Sequence, residues 1–180
     1  IIRRGLFVGL GAFFLAVAVG TLSQGLVASL ASVLAASLIL LIIIVIGILM
    51  DVVGTAVAAA DESVFHAMGA RRKSGASQGA WLVRNADRVA NFCNDVVGDV
   101  SSAISGALGA GIALRMAGGD VRDLWLETLV TAVVAGLTVG GKALGKTFAI
   151  QEANTVIYWV ARVLATLNIQ PGKDKGRKRS

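Results

Sequence analysis

The chain has 180 residues, of which 56% are apolar before 22 glycines are counted and only 16% are charged. Average soluble domains reach ~45–50% apolar with glycine included, so this chain lacks the polar surface to cover a water-soluble globule, and the bilayer is its expected solvent. One Cys and one His exclude an internal disulfide and the multi-histidine zinc centres. The formal charge of +6 reads as the loop and tail charge of a membrane protein, with no nucleic-acid partner.

No charged residue lies between Arg4 and Asp51. As one helix that stretch would be ~69 Å long, more than twice the ~30 Å of hydrocarbon, so it folds back. Polarity rises at Thr21, Ser23, Gln24 and Gly25, which places the break there and predicts spans over 5–22 and 34–60. Arg3, Arg4, the apolar run and Ala16-Val17-Ala18 also have the form of a signal sequence; the chain retains the segment, and it is read as a helix. Third and fourth spans are predicted over 91–114 and 124–145, joined by a turn at Gly118-Gly119-Asp120.

With four spans, Arg115 and Arg122 stand on one side of the membrane and the other Lys and Arg residues on the opposite side. The positive-inside rule makes the richer side cytoplasmic, with both termini inside the cell membrane. The hairpin 67–88, carrying Trp81 and Leu82 among polar residues, is predicted to lie along the membrane surface. Val156, Val160, Val163, Leu164 and Leu167 recur at helical spacing beside Tyr158 and Trp159, which predicts a second interfacial helix ended by Pro171. The last ten residues form a basic tail suited to anionic lipid. Trp81, Trp125 and Trp159 fall at predicted boundaries, and Gly136 with Gly140 and Gly141 with Gly145 are small-xxx-small pairs that permit close helix contact or a dimer seam.

At 100° per residue, Asn91, Asn94, Asp95, Gly98, Asp99, Ser102, Ser105 and Gly109 share one side of the third span, and Phe92, Val96, Val97, Val100, Ile104 and Leu108 take the lipid side. Asp51, Gly54, Thr55, Ala58, Glu62 and His66 share a face of the second, with Asp61 flanking it, and Glu127, Thr131, Thr138, Gly141, Lys142 and Gly145 share one of the fourth. An Asp near the centre of a membrane helix costs ~2.5–3.5 kcal/mol on insertion scales, so these faces are expected to turn toward one another. The inferred orientation converges the polar groups on the cytoplasmic third. Carboxylate, amide and hydroxyl oxygens without thiolate or imidazole are hard ligands, suited to Mg²⁺, Ca²⁺ or Na⁺. The alternative is that Lys142 and Lys146 neutralise two of the acids while Asp61 and Glu62 sit in headgroup water.

These residues resemble the transmembrane domain of the CNNM/CorC magnesium-transport family over about residues 40 to 165. Ala59-Ala60-Asp61-Glu62-Ser63-Val64 stands where that family has Ser-Gly-Ser-Glu-Thr-Ala, Asn85-Ala86-Asp87-Arg88 is similar to its Asn/Asp-Pro-Asp-Arg stretch, and Gly141-Lys142-Ala143-Leu144-Gly145-Lys146-Thr147 to its Gly-Glu-Ile-Val-Pro-Lys-Thr segment. The resemblance implies three core helices and a juxtamembrane helix, a homodimer, and a cation site opening to the cytoplasm, with Glu62 matching the family's acid. This chain differs in Ala59 and Asp61 for serines, Lys142 for a Glu and Gly145 for a Pro. A basic tail stands where paired CBS domains usually follow, so nucleotide regulation is not expected.

The expectation is therefore an all-α integral membrane protein with four transmembrane helices and interfacial amphipathic helices. Residues 1–33 form an extra helix and linker, 34–170 the CNNM/CorC-like core, and 171–180 the tail. It is expected to bind and move a hard divalent cation, Mg²⁺ first, as a homodimer and not as an enzyme. The expected metal ligands are Glu62, Asn94, Asp95, Asp99 and Asp61. Asp51, deeper in the bilayer, is a proton relay or Na⁺ coupling site, and Lys142 a tethered counter-cation that the substrate displaces. The alternative function is a non-transporting membrane subunit whose polar cluster is structural.

Overall fold

A computed structural model describes residues 2–29, 32–117 and 124–169. The described residues form helices α1 (Ile2–Ser29), α2 (Val33–Ala59), α3 (Glu62–Ala70), α4 (Ala76–Arg84), α5 (Ala86–Asn91), α6 (Asp99–Met116), α7 (Leu124–Gln151) and α8 (Ala153–Thr166). A seven-residue π-helical segment, Phe92–Gly98, joins α5 to α6 without a break in the chain's helical path. Four stretches are long and apolar enough to cross a membrane: Val8–Gly25, Val33–Ala59, Ala86–Met116 and Trp125–Gln151. The protein is thus an all-α membrane protein. The turn expected at Gly118-Gly119-Asp120, Arg122, Pro171 and the basic tail lie outside the described residues, as do the side chains of Arg3 and Arg4.

Helix α2 forms the axis of the bundle, packing against α6, α7, the π segment, α5 and α8. Its sequence gives two apolar clusters in series. Ala36, Leu40 and Ile44 pack with Val100, Ile104, Leu108, Ile112 and Val134. Nearer its C-terminus, Ala56 and Val57 pack with Phe65, Ala80, Leu82, Ala149, Ala153, Ile157 and Ala161. Asp51 falls between the two. Apolar residues on the outward faces, including Leu38, Leu41, Ile42 and Val45 of α2 and Leu129, Val133 and Leu137 of α7, stay exposed. Such continuous apolar surface belongs against lipid.

The expected break at 21–25 does not occur. Thr21 donates its hydroxyl to the carbonyls of Val17 and Ala18, Ser23 is buried, and α1 runs on to Ser29. A hydroxyl that bonds back within its own turn leaves nothing for water to satisfy, so the polar letters do not end the helix. The fourth span likewise runs six residues past 145, to Gln151.

Short helices α3, α4 and α8 pack around the C-terminal end of α2. Phe65 of α3 is 1% exposed and seats against Gly79 of α4, where an added methyl would overlap its ring. Gly75 caps α4 with φ +88°, and a Cβ there would meet the Arg162 backbone nitrogen at 3.0 Å; both the left-handed conformation and the close approach call for glycine. The backbone N–H of Asp61 donates to Asn154 Oδ1 at 2.9 Å, tying the α2–α3 junction to α8. Helix α8 forms where expected, but its buried stripe is Ala153, Ile157 and Ala161; of the expected apolar residues Val156, Val160 and Leu164 are half-buried, and Val163 and Leu167 face out with Trp159. Arg162 lies over the Trp159 ring, 5.8 Å from its centroid.

Candidate functional site

The site is built where α2, the π segment and α7 meet. Along the antiparallel pair of α2 and the third span, Gly47 opposes Ser101, Asp51 opposes Gly98, and Gly54 opposes Asn94. Along α2 and α7, which run parallel, Ile48 seats on Gly141 and Val52 on Gly145. Glycines at these crossings let the helices close on Asp51 from both sides, so one Gly pair singled out in the sequence does serve a helix contact. Gly136 and Gly140, by contrast, have open space beside them.

Asp51 is 3% exposed. Lys142 Nζ lies 4.0 Å from Asp51 Oδ1 and 3.4 Å from Asp99 Oδ1, and Lys146 Nζ lies 3.5 Å from Asp51 Oδ2. Lys142 also donates to the Gly98 carbonyl at 3.1 Å. The approach of Lys146 lacks hydrogen-bond geometry, so the buried Asp51 Oδ2 receives no donated hydrogen bond. Asn94 Oδ1 is a second buried oxygen without a donor. Its amide fills the notch left by Gly54, one helical turn from Asp51, and a methyl group at Gly54 would overlap it. Two lysines and two carboxylates make the cluster formally neutral, yet two of its acceptor oxygens are left over. Buried acceptors of this kind ordinarily take a partner.

The π segment explains both the convergence and a departure from the expected faces. Turns closed by i→i+5 bonds hold more residues than α turns, so everything past Gly98 is rotated from a uniform 100° per residue. Val100, Ile104 and Leu108, expected on the lipid side, are buried, and Asp95 and Asp99 are exposed. The Gly98 carbonyl accepts from both Ser102 Oγ (2.8 Å) and Lys142 Nζ.

Of the expected ligands, the structure brings Asp99 together with Asp51 and Lys142, and it seats the Asn94 amide against Gly54, one turn along from each of Asp51 and Gly98. Asp95 stands exposed on the opposite side of the π segment from buried Cys93 and Gly98. Asp61 and Glu62 serve other contacts. Asp61 caps α3, accepting from the Ser63 N–H at 2.9 Å. Glu62 Oε1 accepts from Arg84 Nη2 at 2.7 Å and lies 3.1 Å from His66 Nε2, four residues along the same helix. The Ser63 backbone hydrogen bond draws the Asp61 carboxyl below its ordinary range, and the Arg84 and then the His66 hydrogen bond do the same for Glu62. Gly54 and the Gly98 carbonyl were not singled out as site groups. Their signal lay in spacing, since Gly54 is one turn from Asp51 and Gly98 one turn from Asn94.

Among the described residues no group of three or more His, Cys, Asp or Glu side chains is placed to hold a metal ion. The oxygens at hand are two carboxylates, a backbone carbonyl and an amide, all hard. Such a set fits a cation that keeps part of its water shell, as Mg²⁺ does when one or two carboxylates bind it. It fits poorly to zinc or copper. No family model, curated protein or solved structure matches this chain.

Proposed function

We propose that this chain binds a hard cation, Mg²⁺ first, at Asp51, Asn94, Gly98 and Asp99 and carries it across the cell membrane, with Lys142 as the built-in competitor that the ion displaces. The observation that carries this reading is the Lys142 ammonium set among oxygen atoms of Gly98, Asp99 and Asp51, at a helix crossing where the buried Asp51 Oδ2 and Asn94 Oδ1 are left without donors. Lys142 occupies the place a cation would take. Its flexible stem lets it leave and return, and Lys146, half exposed, can withdraw to water with little cost. The CNNM/CorC resemblance supports the same substrate class and a homodimer, and the open glycine face of α7 at Gly136 and Gly140 offers such a seam. The charge distribution supports both termini on the cytoplasmic side and anionic lipid at the basic surfaces.

The test is ion flux into proteoliposomes, run with Mg²⁺, Ca²⁺ and Na⁺, together with the melting temperature of the purified protein in each ion. A ligand at one hundred times its Kd stabilises by ~2.7 kcal/mol, which shifts the melting temperature measurably. Asp51→Asn is expected to abolish both flux and shift. Flux and melting that ignore every ion and are unchanged in Asp51→Asn and Lys142→Glu would reject transport. They would favour the second reading, a non-transporting membrane subunit in which Lys142 and Lys146 simply neutralise Asp51 and Asp99.

A further inference from the structure

Only Glu152 separates α8 from α7, a helix long and apolar enough to cross the membrane. Helix α8 therefore begins where a span ends. Its 14 residues make ~21 Å, short of the ~30 Å of hydrocarbon, so it lies along the boundary instead of crossing it. Ala153, Ile157 and Ala161 seat one side of it on α2 and α4. Trp159 follows Ile157 by two residues, ~200° around the helix, and with Val163 and Leu167 makes a second apolar stripe on the far side. These three are 57%, 56% and 64% exposed, so the bundle leaves that stripe open.

Cations reach this end of the bundle from two parts of the sequence. Arg162, on α8 itself, lies over the Trp159 ring, 5.8 Å from its centroid. Arg71, Arg72 and Lys73 stand in the turn between α3 and α4, and all three are exposed. Gly75 seats the end of that turn on α8: a Cβ there would lie 3.0 Å from the Arg162 nitrogen and 3.1 Å from the Ala161 carbonyl carbon. Packing thus joins cations that the sequence holds far apart. Neither the 71–75 turn nor α8 contains an acid, and the N-cap Glu152 lies ~15 Å along the axis from Arg162. An apolar stripe bordered by uncompensated cations fits a leaflet of anionic phospholipid, whose acyl boundary takes the stripe and whose phosphates take the cations. A second copy docked here about a two-fold axis would bring like charges together. A hydrophilic polyanion would leave the stripe uncovered.

We propose that the outward stripe of α8 and the 71–73 turn form one docking surface for anionic phospholipid of the adjoining leaflet. Trp159, Val163 and Leu167 sit at the acyl boundary, and Arg71, Arg72, Lys73 and Arg162 meet headgroup phosphates. The inference rests on the reading above that anionic lipid meets the basic surfaces, and it gives that lipid a composite site. Arg162 keeps its stem against the Trp159 ring while its head reaches a phosphate. Neutral lipid offers the same acyl boundary without net charge, so the stripe sets attachment and the cations set preference. The two are separable by experiment.

The experiment places the full chain, with Trp81→Phe and Trp125→Phe leaving Trp159 as its one tryptophan, in bilayers of equal parts phosphatidylcholine and phosphatidylglycerol. Trp159 quenching is compared when bromine is carried by the acyl chains of one lipid or of the other. A second readout is the melting temperature of the detergent-purified chain with and without added phosphatidylglycerol. The expected result is quenching by both lipids, at least twofold stronger from brominated phosphatidylglycerol, and equal from the two in the Arg71→Gln/Arg72→Gln/Lys73→Gln/Arg162→Gln variant. A preference that survives in this quadruple variant overturns the surface. Equal quenching before those changes also overturns it, and a melting shift that persists leaves anionic lipid at other basic segments. Equal quenching without any melting shift overturns the anionic-lipid reading itself, and the surface with it. Absence of quenching by either lipid overturns the docking and assigns the stripe to a protein contact. Should the quadruple variant fail to fold, Arg162→Gln alone is expected to lower the preference, and an unchanged preference there overturns the composite site.

Discussion

The Lys142 ammonium sits 3.1 Å from the Gly98 carbonyl, at the last residue of the π segment, and joins a helix end on the third span to the fourth. Its other neighbours are the carboxylates of Asp99 at 3.4 Å and Asp51 at 4.0 Å. Oxygen surrounds the ammonium as it would surround a bound cation, which makes this side chain the one whose removal tests the site most directly.

Lys142→Met is expected to destabilise the protein by ~2–3 kcal/mol, somewhat below the ~3–5 kcal/mol found on breaking a fully buried pair, because Lys146 still faces Asp51. Adding Mg²⁺ should restore much of that loss. The Lys142→Met/Asp51→Asn double variant should be more stable than Lys142→Met alone, since it leaves no uncompensated charge. Thermal unfolding in detergent, with and without the ion, measures all three. A double variant less stable than either single one would show that the pair is not the reason for the loss.

Gly54→Ala is expected to cost ~1–3 kcal/mol, the usual range for overpacking, because its methyl group would overlap the Asn94 amide and force that side chain from the notch. The same change at Gly136, which meets nothing within 4 Å, should stay within ~0.5 kcal/mol of wild type. Melting temperatures of the two variants read the contrast. Equal effects would mean that Asn94 does not occupy the Gly54 notch.

Four membrane helices and an amphipathic C-terminal helix were legible in the sequence because they depend on apolar run length and on a 3.6-residue period, which local composition sets. That Asp51, Asp99 and Lys142 would face one another was legible for the same reason, since all are counted from helix ends, whereas Asp61 and Glu62, expected with them, serve contacts of α3 and α4. Which side of the third span faces inward was legible only in part: Gly98, Ser105 and Gly109 are buried as expected, but so are Val100, Ile104 and Leu108, while Asp95 and Asp99 are exposed. That depends on the π turns at Phe92–Gly98, and no residue type signals a switch from i→i+4 to i→i+5 bonding. The role of Glu62 escaped for another reason: its partner Arg84 lies on a separate helix, and only the packing of α3 against α4 brings the two together. Asp61 differs, since its cap on Ser63 two residues on is a local contact.

Phe65→Ala is expected to cost ~3–5 kcal/mol, as for a large buried aromatic, and to free α3 from α4 before the spans separate. Hydrogen exchange would show it: amides of α3 and α4 should lose protection while those of α2 and α6 keep theirs. Uniform loss across all helices would make Phe65 part of the global core instead of a local clasp.

The Glu62–Arg84 contact gives α3 and α4 an acid sensitivity whose sign follows from its cause. Hydrogen bonds from Arg84 and then His66, and from Ser63 in the case of Asp61, favour the charged carboxylates and lower both folded-state pKa values. A group lowered on folding contributes stability at pH above its unfolded value, and that stability is lost as pH falls through the folded value. The window therefore lies below about pH 4.5, the ordinary glutamate range, and neutral pH is unaffected. Both groups are exposed, so the effect is a local loosening of the α3–α4 clasp, weakened further by salt. Trp81 on α4 reports it. In a Trp125→Phe/Trp159→Phe background, its fluorescence is expected to change as pH falls through that window, and Glu62→Gln should remove most of the change. A transition centred above pH 5, or one untouched by Glu62→Gln, would assign the sensitivity to other groups.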